Sequence, residues 1–126
     1  MAVNNRYLYS DITDKVIGAA SKVHKELGPG LVEKLYQRAL KIELSKKGVN
    51  AEREKRINMR YNGVNIGFDK VDFDAENKVL VEIKAVSELS EIHRAQMISY
   101  LKSSGRRVGL LINFGMIRLE LKRIIV

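Results

Sequence analysis

Two segments in the first half of the chain have apolar residues at every third or fourth position. This spacing predicts two helices, one over residues 10–27 with Ser10 as its cap and one from Gly30 or Leu31 to Gly48. Gly28-Pro29 separates them, because glycine favours a helix end and proline cannot continue a helix. Residues 1–9 precede the first helix and are expected to form a flexible segment.

Beyond residue 50 the apolar positions alternate with polar ones, which predicts strands rather than helices. Asn62-Gly63 predicts a tight hairpin turn between the first two strands, because both residues tolerate positive φ. A third helix is expected from Ser87 or Ser90 to about Ser103. The predicted strands are residues 57–61, 64–68, 71–74, 79–85 and 108–112, followed by a last strand that contains Ile117, Leu119 and Leu121.

This order of elements predicts one α/β domain over residues 1–126, with a mixed central sheet flanked by helices. A chain of 126 residues is long enough for one hydrophobic core and too short for two ordinary domains. The sequence has neither the apolar run of a signal peptide nor a stretch of about 18 apolar residues, so we expect no membrane segment. The absence of cysteine fits the reducing cytoplasm and excludes thiolate metal sites and cysteine nucleophiles.

The net charge is +8 and is unevenly distributed along the chain. Residues 1–60 and 102–126 have an excess of Lys and Arg, whereas residues 61–101 have an excess of Asp and Glu. A basic protein attracts polyanions, and nucleic acid is the commonest polyanion in a cytoplasm. Carboxylates in the middle and cations on either side suit a metal site that acts on a phosphate backbone.

Charged residues stand on an otherwise apolar strand at Glu82 and Lys84. Residues two apart on a strand share a face, so both side chains are expected to point the same way. If residues 76–78 form a turn, Ala75 lies opposite Val79 and Asp72 comes opposite Glu82 on that same face. Two carboxylates and a lysine could then hold Mg²⁺ or Mn²⁺ and assist an attacking water. A structural ion pair between Lys84 and Glu82, with Asp72 capping a turn, remains the alternative.

Several motifs in order resemble the GxxExxY family of small proteins in the PD-(D/E)xK nuclease superfamily. The resemblance extends over roughly residues 10–126 and includes GLVEKLY at residues 30–36, Asp72, VEIKA at 81–85, AQMISYL at 95–101 and GLLINFG at 109–115. It implies the restriction-endonuclease-like αβββαβ core, with Asp72, Glu82 and Lys84 as the Asp, the Asp/Glu and the Lys of the superfamily motif. Val71 stands where the motif's name has proline.

The resemblance also implies supporting roles for three further residues. Glu33 resembles the helical acid that some superfamily members direct at the metal; its alternative role is a favourable charge at a helix N-terminus. Gln96 and Tyr100 resemble a Q-x-x-x-Y motif that supports the site in RecB-type nucleases, and they otherwise form a half-buried polar face. We interpret His93 as a surface or capping histidine rather than a catalytic one.

The expected metal is Mg²⁺ or Mn²⁺, held by Asp72, Glu82 and Glu33, with Lys84 and Gln96 completing the catalytic set. The expected substrate is nucleic acid, DNA more than RNA, and a homodimer is possible. The residues expected to contact nucleic acid are Arg53, Lys55, Arg56, Arg60, Tyr100, Arg106 and Arg107.

Two hypotheses about function follow from these features. The first is a metal-dependent nuclease that hydrolyses phosphodiester bonds, and the intact set of two acids and a lysine favours it. The second is a nuclease-fold module that binds nucleic acid or a protein partner without cutting. A purely structural subunit is a third option, but such a role needs no charged trio on a core strand.

Overall fold

The computed structural model describes residues 7–126, and they form a five-stranded sheet with helices on both faces. The strands lie side by side in chain order; β3 and β4 are parallel and the other neighbours are antiparallel. The mixed α/β architecture expected from the sequence is therefore confirmed. The elements are α1 (Ser10–Leu27), α2 (Glu33–Lys46), β1 (Ala51–Tyr61), β2 (Val64–Ala75), β3 (Val79–Lys84), α3 (Glu91–Ser104), β4 (Val108–Asn113) and β5 (Glu120–Ile125).

The two faces of the sheet bury separate apolar clusters. On β3, Val79, Val81 and Ile83 join the residues of α1 and α2 in the first cluster. Leu80 belongs to the second cluster, with Met97 and other residues of α3. Because side chains alternate along a strand, Glu82 and Lys84 are on the α3 face of the sheet.

The crossover from β3 to β4 places α3 close against the sheet. Gly109 of β4 makes this approach possible, because a Cβ atom there would lie 2.5 Å from the Sδ of Met97. At the far end of α3, the Arg106 guanidinium donates hydrogen bonds to both carboxylate oxygens of Asp74, at 3.3 and 2.8 Å. Asp74 is almost fully buried, so this pair ties the end of α3 to β2.

The strand boundaries differ from the expectation in three main places, the first being β1, which begins at Ala51 rather than at residue 57. The predicted strands 64–68 and 71–74 are one continuous strand, β2, because the long β1 pairs with it from Ala51–Ala75 to Tyr61–Val64. The last strand begins at Glu120 rather than near Ile117, whose side chain is exposed. Asn113 pairs with Glu120 and its side-chain amide donates to that carboxylate, so the connection after β4 lasts until residue 119.

The helix starts also differ slightly from the expectation. Tyr9 rather than Ser10 is the N-cap of α1, and α2 begins at Glu33 instead of residue 30 or 31. Of the segment expected to be flexible, residues 1–6 lie outside the described residues, whereas Leu8 and Tyr9 pack against the first cluster. Within residues 7–126 no helix has the length and apolarity to cross a membrane.

Candidate active site

The candidate site lies where β2 and β3 separate. Main-chain pairing runs through Ala75–Val79, Asp74–Leu80 and Phe73–Val81, in the register that the turn predicted. One residue further on, side chains take over the hydrogen bonds: the Asp72 amide donates to Glu82 Oε1 at 3.0 Å, and the Ile83 amide donates to Asp72 Oδ2 at 2.7 Å. Each backbone N–H is thus satisfied by a carboxylate, and the two acids are held side by side.

The alternation of side chains along β2 is interrupted at Asp72. Val71 packs in the cluster on the α3 face, whereas Phe73 packs in the cluster of α1 and α2. Opposite this point, Glu54 of β1 has a φ of 55°, which interrupts the pairing between Arg53–Phe73 and Lys55–Val71. Asp72 is therefore within reach of both faces of the sheet.

Helix α2 contacts Asp72 through Gln37, which no motif in the sequence indicated. The Nε2 of Gln37 donates to Asp72 Oδ1 at 2.7 Å, and Gln37 is only 3% exposed. Gln37 lies one turn after Glu33 on the same helix. The helical spacing of the two residues could have pointed to Gln37, because residues four apart share a helix face.

Helix α3 contacts the site from the other side through Gln96. The ammonium group of Lys84 lies 3.8 Å from Glu82 Oε2 and donates to Gln96 Oε1 at 3.3 Å. Tyr100, one turn after Gln96, is buried and donates its hydroxyl to Asp69 Oδ2 at 2.8 Å. The structure thus brings Asp72, Glu82, Lys84 and Gln96 together, with Tyr100 packed beside them.

Burial and the neighbouring Asp72 carboxylate raise the pKa of Glu82 to about 9. Lys84 opposes this change but does not cancel it. The Asp72 carboxylate disfavours a negative charge on Glu82, and a cation bound between the two side chains would offset this repulsion. The pair is thus a strong candidate for binding a cation.

Glu33 lies near the end of β3 but not within a three-carboxylate cluster. Its Oε2 accepts a hydrogen bond from the Ala85 amide at 3.3 Å, and the side chain is exposed. Across residues 7–126 no three His, Cys, Asp or Glu side chains come together in a group that could hold a metal. Glu33 is therefore not brought together with Asp72 and Glu82 as the third carboxylate that the sequence predicted.

The loops next to Lys84 are fixed by Asn113, a second residue missed at the sequence level. Asn113 is fully buried at the end of β4 and pairs with Lys84 across the parallel strands. Its side chain hydrogen-bonds both main-chain groups of Val86 and the amide of Gly115 at 2.9–3.0 Å. The polar residue after the apolar run 108–112 was the available signal, but it does not specify these partners.

The basic residues expected to contact nucleic acid fall into two groups. Arg106 is engaged with Asp74, and the Arg107 guanidinium donates to the main-chain oxygen of Val126. The other four lie on β1, where Arg53, Arg56 and Arg60 are exposed and Lys55 is half-buried near Glu52 and Asp74. Those four do not form one basic face, because Lys55 and Arg56 are neighbours on the strand and therefore point to opposite sides of the sheet.

His93 caps α3, as expected. Its Nδ1 accepts a hydrogen bond from the Ser90 amide at 3.0 Å, which satisfies a backbone donor at the helix start. The side chains that meet at the candidate site itself carry carboxylate, amide, ammonium and phenol groups.

The motif residues and the fold agree with a comparison against known families. A family model described as the PD-(D/E)XK nuclease superfamily matches residues 10–124. The chain belongs to the PD-(D/E)XK nuclease superfamily. Membership of the GxxExxY family within this superfamily stays a prediction.

Two solved structures are similar to this superfamily member. The protein SSO0001 aligns with a TM-score of 0.50 and 18% identity over 95% of this chain and 59% of that chain, which shows a shared fold. The chain thus spans less than two thirds of the length of SSO0001. An alkaline exonuclease from Laribacter hongkongensis, LHK-Exo, aligns with a TM-score of 0.42 and 11% identity over 90% and 80% of the two chains. No curated protein sequence matches the chain.

The raised pKa of Glu82 predicts a pH dependence of stability in the metal-free protein. Between about pH 4.5 and about pH 9 the folded protein keeps a proton on Glu82 that the unfolded chain loses. The free energy of unfolding should therefore fall as the pH rises through this window. Glu82→Gln removes the ionisable group, so at pH 7 the metal-free variant should be more stable than wild type by about 1 kcal/mol or more.

Urea unfolding at pH 4 and pH 7, with a chelator present, measures this difference. Near pH 4 the variant and wild type should have similar free energies of unfolding. Glu88→Gln, in an exposed loop, is the control and should have little effect at either pH. A Glu82→Gln variant that is less stable than wild type at pH 7 would show that the carboxylate is not under electrostatic strain.

Proposed function

We propose that the protein is a metal-dependent nuclease whose reactive centre is Asp72, Glu82 and Lys84. One observation supports this most directly: two neighbouring carboxylates at the break between β2 and β3 are held by backbone amides, with a lysine 3.8 Å from one of them. Superfamily membership makes phosphodiester hydrolysis the expected reaction. The finer assignment to the GxxExxY family is part of this proposal.

The donor chemistry fits Mg²⁺ or Mn²⁺. Both ions prefer oxygen ligands, and Mg²⁺ often uses only one or two carboxylates while it keeps several waters. Asp72 and Glu82 would hold the ion, whereas Glu33, which is exposed and accepts a hydrogen bond from the Ala85 amide, is not assigned as a ligand. When bound, such an ion lowers the pKa of a water molecule and offsets negative charge on a phosphate.

The remaining residues have roles that follow from their contacts. Lys84 is oriented by Gln96 and can donate a hydrogen bond to an attacking water or to a phosphate oxygen. Tyr100 connects α3 with β2 through its hydrogen bond to Asp69. Gln37 fixes the rotamer of Asp72 from the opposite face.

The proposed substrate is nucleic acid, DNA more than RNA, bound along β1 and the C-terminal end of α3. A cleft of about 410 Å³ lies there, lined by Asn58, Arg60, Lys102 and Ser103. Helix α3 connects this cleft with the candidate site, because Gln96 and Lys102 lie on the same helix. Gln96 and Lys102 are six residues apart, about 9 Å along the helix axis, so a phosphate backbone bound in the cleft would have to follow α3 to come near Lys84.

The hairpin of β1 and β2 also offers exposed apolar and aromatic side chains beside its cations. The Arg56 guanidinium lies 4.1 Å from the centre of the Phe68 ring. The side chains of Tyr61, Val64 and Ile66 are all more than 60% exposed. Such a surface could contact bases as well as phosphates.

Catalysis is tested by substitutions in the proposed centre. With Mg²⁺ or Mn²⁺ present, the wild-type protein should cut single-stranded, duplex or branched DNA, and EDTA should abolish the activity. Lys84→Ala should leave metal binding largely intact but lower the rate by about 100-fold or more, because its contribution is made in the transition state. Asp72→Ala should lose metal binding itself.

Lys78→Ala is the matched control, because Lys78 is an exposed lysine in the turn between the same two strands. It should retain full activity. If the wild type binds metal and nucleic acid but cuts none of these substrates, the non-catalytic binding module replaces the nuclease. If Lys78→Ala and Lys84→Ala lose activity equally, Lys84 has no special role.

Binding through the basic cleft should depend steeply on salt. Arg60→Ala combined with Lys102→Ala should weaken binding to duplex DNA and reduce the slope of log affinity against log salt by about 2, since each phosphate contact contributes about 0.9. A fluorescence anisotropy titration with EDTA present measures both quantities without cleavage.

The charge-matched control is Lys15→Ala combined with Lys25→Ala, both on α1 at the opposite face of the sheet. This pair should change the slope little. Equal losses from the two double variants would mean that net charge alone, rather than the cleft, accounts for the binding.

A further inference from the structure

A buried amide oxygen next to the proposed metal site has no partner. Among the described buried side-chain nitrogen and oxygen atoms, Gln37 Oε1 is the one that lacks a hydrogen bond. A buried acceptor without a donor is destabilising, so native proteins rarely leave one unsatisfied. A donor that is not part of the protein is therefore expected at this position.

The orientation of this amide follows from its neighbour. Nε2 donates to Asp72 Oδ1 at 2.7 Å, and a carboxylate oxygen can only accept. Rotating the amide by 180° would place Oε1 against Oδ1, so two acceptors would face each other. Gln37 must therefore direct Nε2 at Asp72. Its Oε1 atom takes no part in that hydrogen bond and remains without a donor.

We propose that Gln37 is a positioning residue of the metal site, which fixes Asp72 through Nε2 and accepts a hydrogen bond through Oε1 from a water molecule on the bound cation. This inference rests on the proposed metal dependence. In this arrangement both Nε2 and Oε1 of the buried amide have a hydrogen-bond partner. The arrangement also suits a cation that retains part of its hydration shell. Second-layer contacts of this kind typically change metal affinity by 10- to 100-fold.

The test compares two substitutions by calorimetry of Mg²⁺ binding and by thermal melting with and without Mg²⁺. Gln37→Met has a similar length and removes both the donor and the acceptor. It should raise the Kd for Mg²⁺ by about tenfold or more and reduce the metal-induced rise in Tm. Gln37→Glu keeps an acceptor, so it should bind Mg²⁺ clearly more tightly than Gln37→Met, although its metal-free Tm should be lower because two carboxylates then face each other.

Thr13→Val is the control, because Thr13 is also buried and polar but lies on α1, where its hydroxyl donates to the main-chain oxygen of Ser10. It should leave the Kd for Mg²⁺ unchanged. A Gln37→Met variant with the wild-type Kd, or equal affinities for Gln37→Met and Gln37→Glu, would overturn the inference and leave a purely structural glutamine. Wild-type protein that binds no Mg²⁺ or Mn²⁺ at all would instead refute the proposed function.

Discussion

The candidate site depends on one exchange of hydrogen bonds, between the main chains of β2 and β3 and the carboxylates of Asp72 and Glu82. Where the strands separate, each carboxylate accepts a backbone N–H that would otherwise lose its partner. The sheet therefore holds two acids at a fixed position without a loop. The backbone N–H groups stabilise negative charge on the buried carboxylates, but the closeness of the two carboxylates disfavours ionisation of Glu82.

The two faces of the sheet stabilise this arrangement in different ways. Helix α2 contributes a neutral donor, Gln37, to Asp72, whereas α3 contributes Gln96, which orients the cation of Lys84. The Asp74–Arg106 pair and the close contact at Gly109 keep α3 in place. The raised pKa of Glu82 means that, without a metal ion, part of the stability is lost at neutral pH. A bound cation would restore it.

The sequence was sufficient to predict the architecture and the local register. The turn at Asn62-Gly63, with φ of 49° and 77°, and the pairing of Ala75 with Val79 depend on short-range chemistry that a sequence pattern contains. The same pattern predicted Asp72, Glu82 and Lys84 on one face, but the alternation that this required is interrupted at Asp72, and the main-chain pairing ends at Phe73–Val81. The continuity of β2 was not predictable, because it depends on pairing with a long partner strand rather than on residues 69 and 70 themselves.

The features of the site that could not be predicted from the sequence depend on tertiary contacts. Gln37 and Asp72 are 35 positions apart, and the interrupted alternation at Asp72 depends on the conformation of Glu54 in another strand. No periodicity in residues 71–74 indicates that interruption. Asn113 likewise has its partners in two loops that only the folded chain brings together.

In the proposed mechanism, Asp72 and Glu82 together bind a divalent cation. A crystal structure of the protein soaked in Mn²⁺, with anomalous scattering measured near the manganese absorption edge, tests it directly. We expect a single strong anomalous peak about 2 Å from an oxygen of each carboxylate, with Glu82 ionised and Lys84 still bonded to Gln96. A structure with Mn²⁺ elsewhere, or with none and an intact Lys84–Glu82 ion pair, would contradict it.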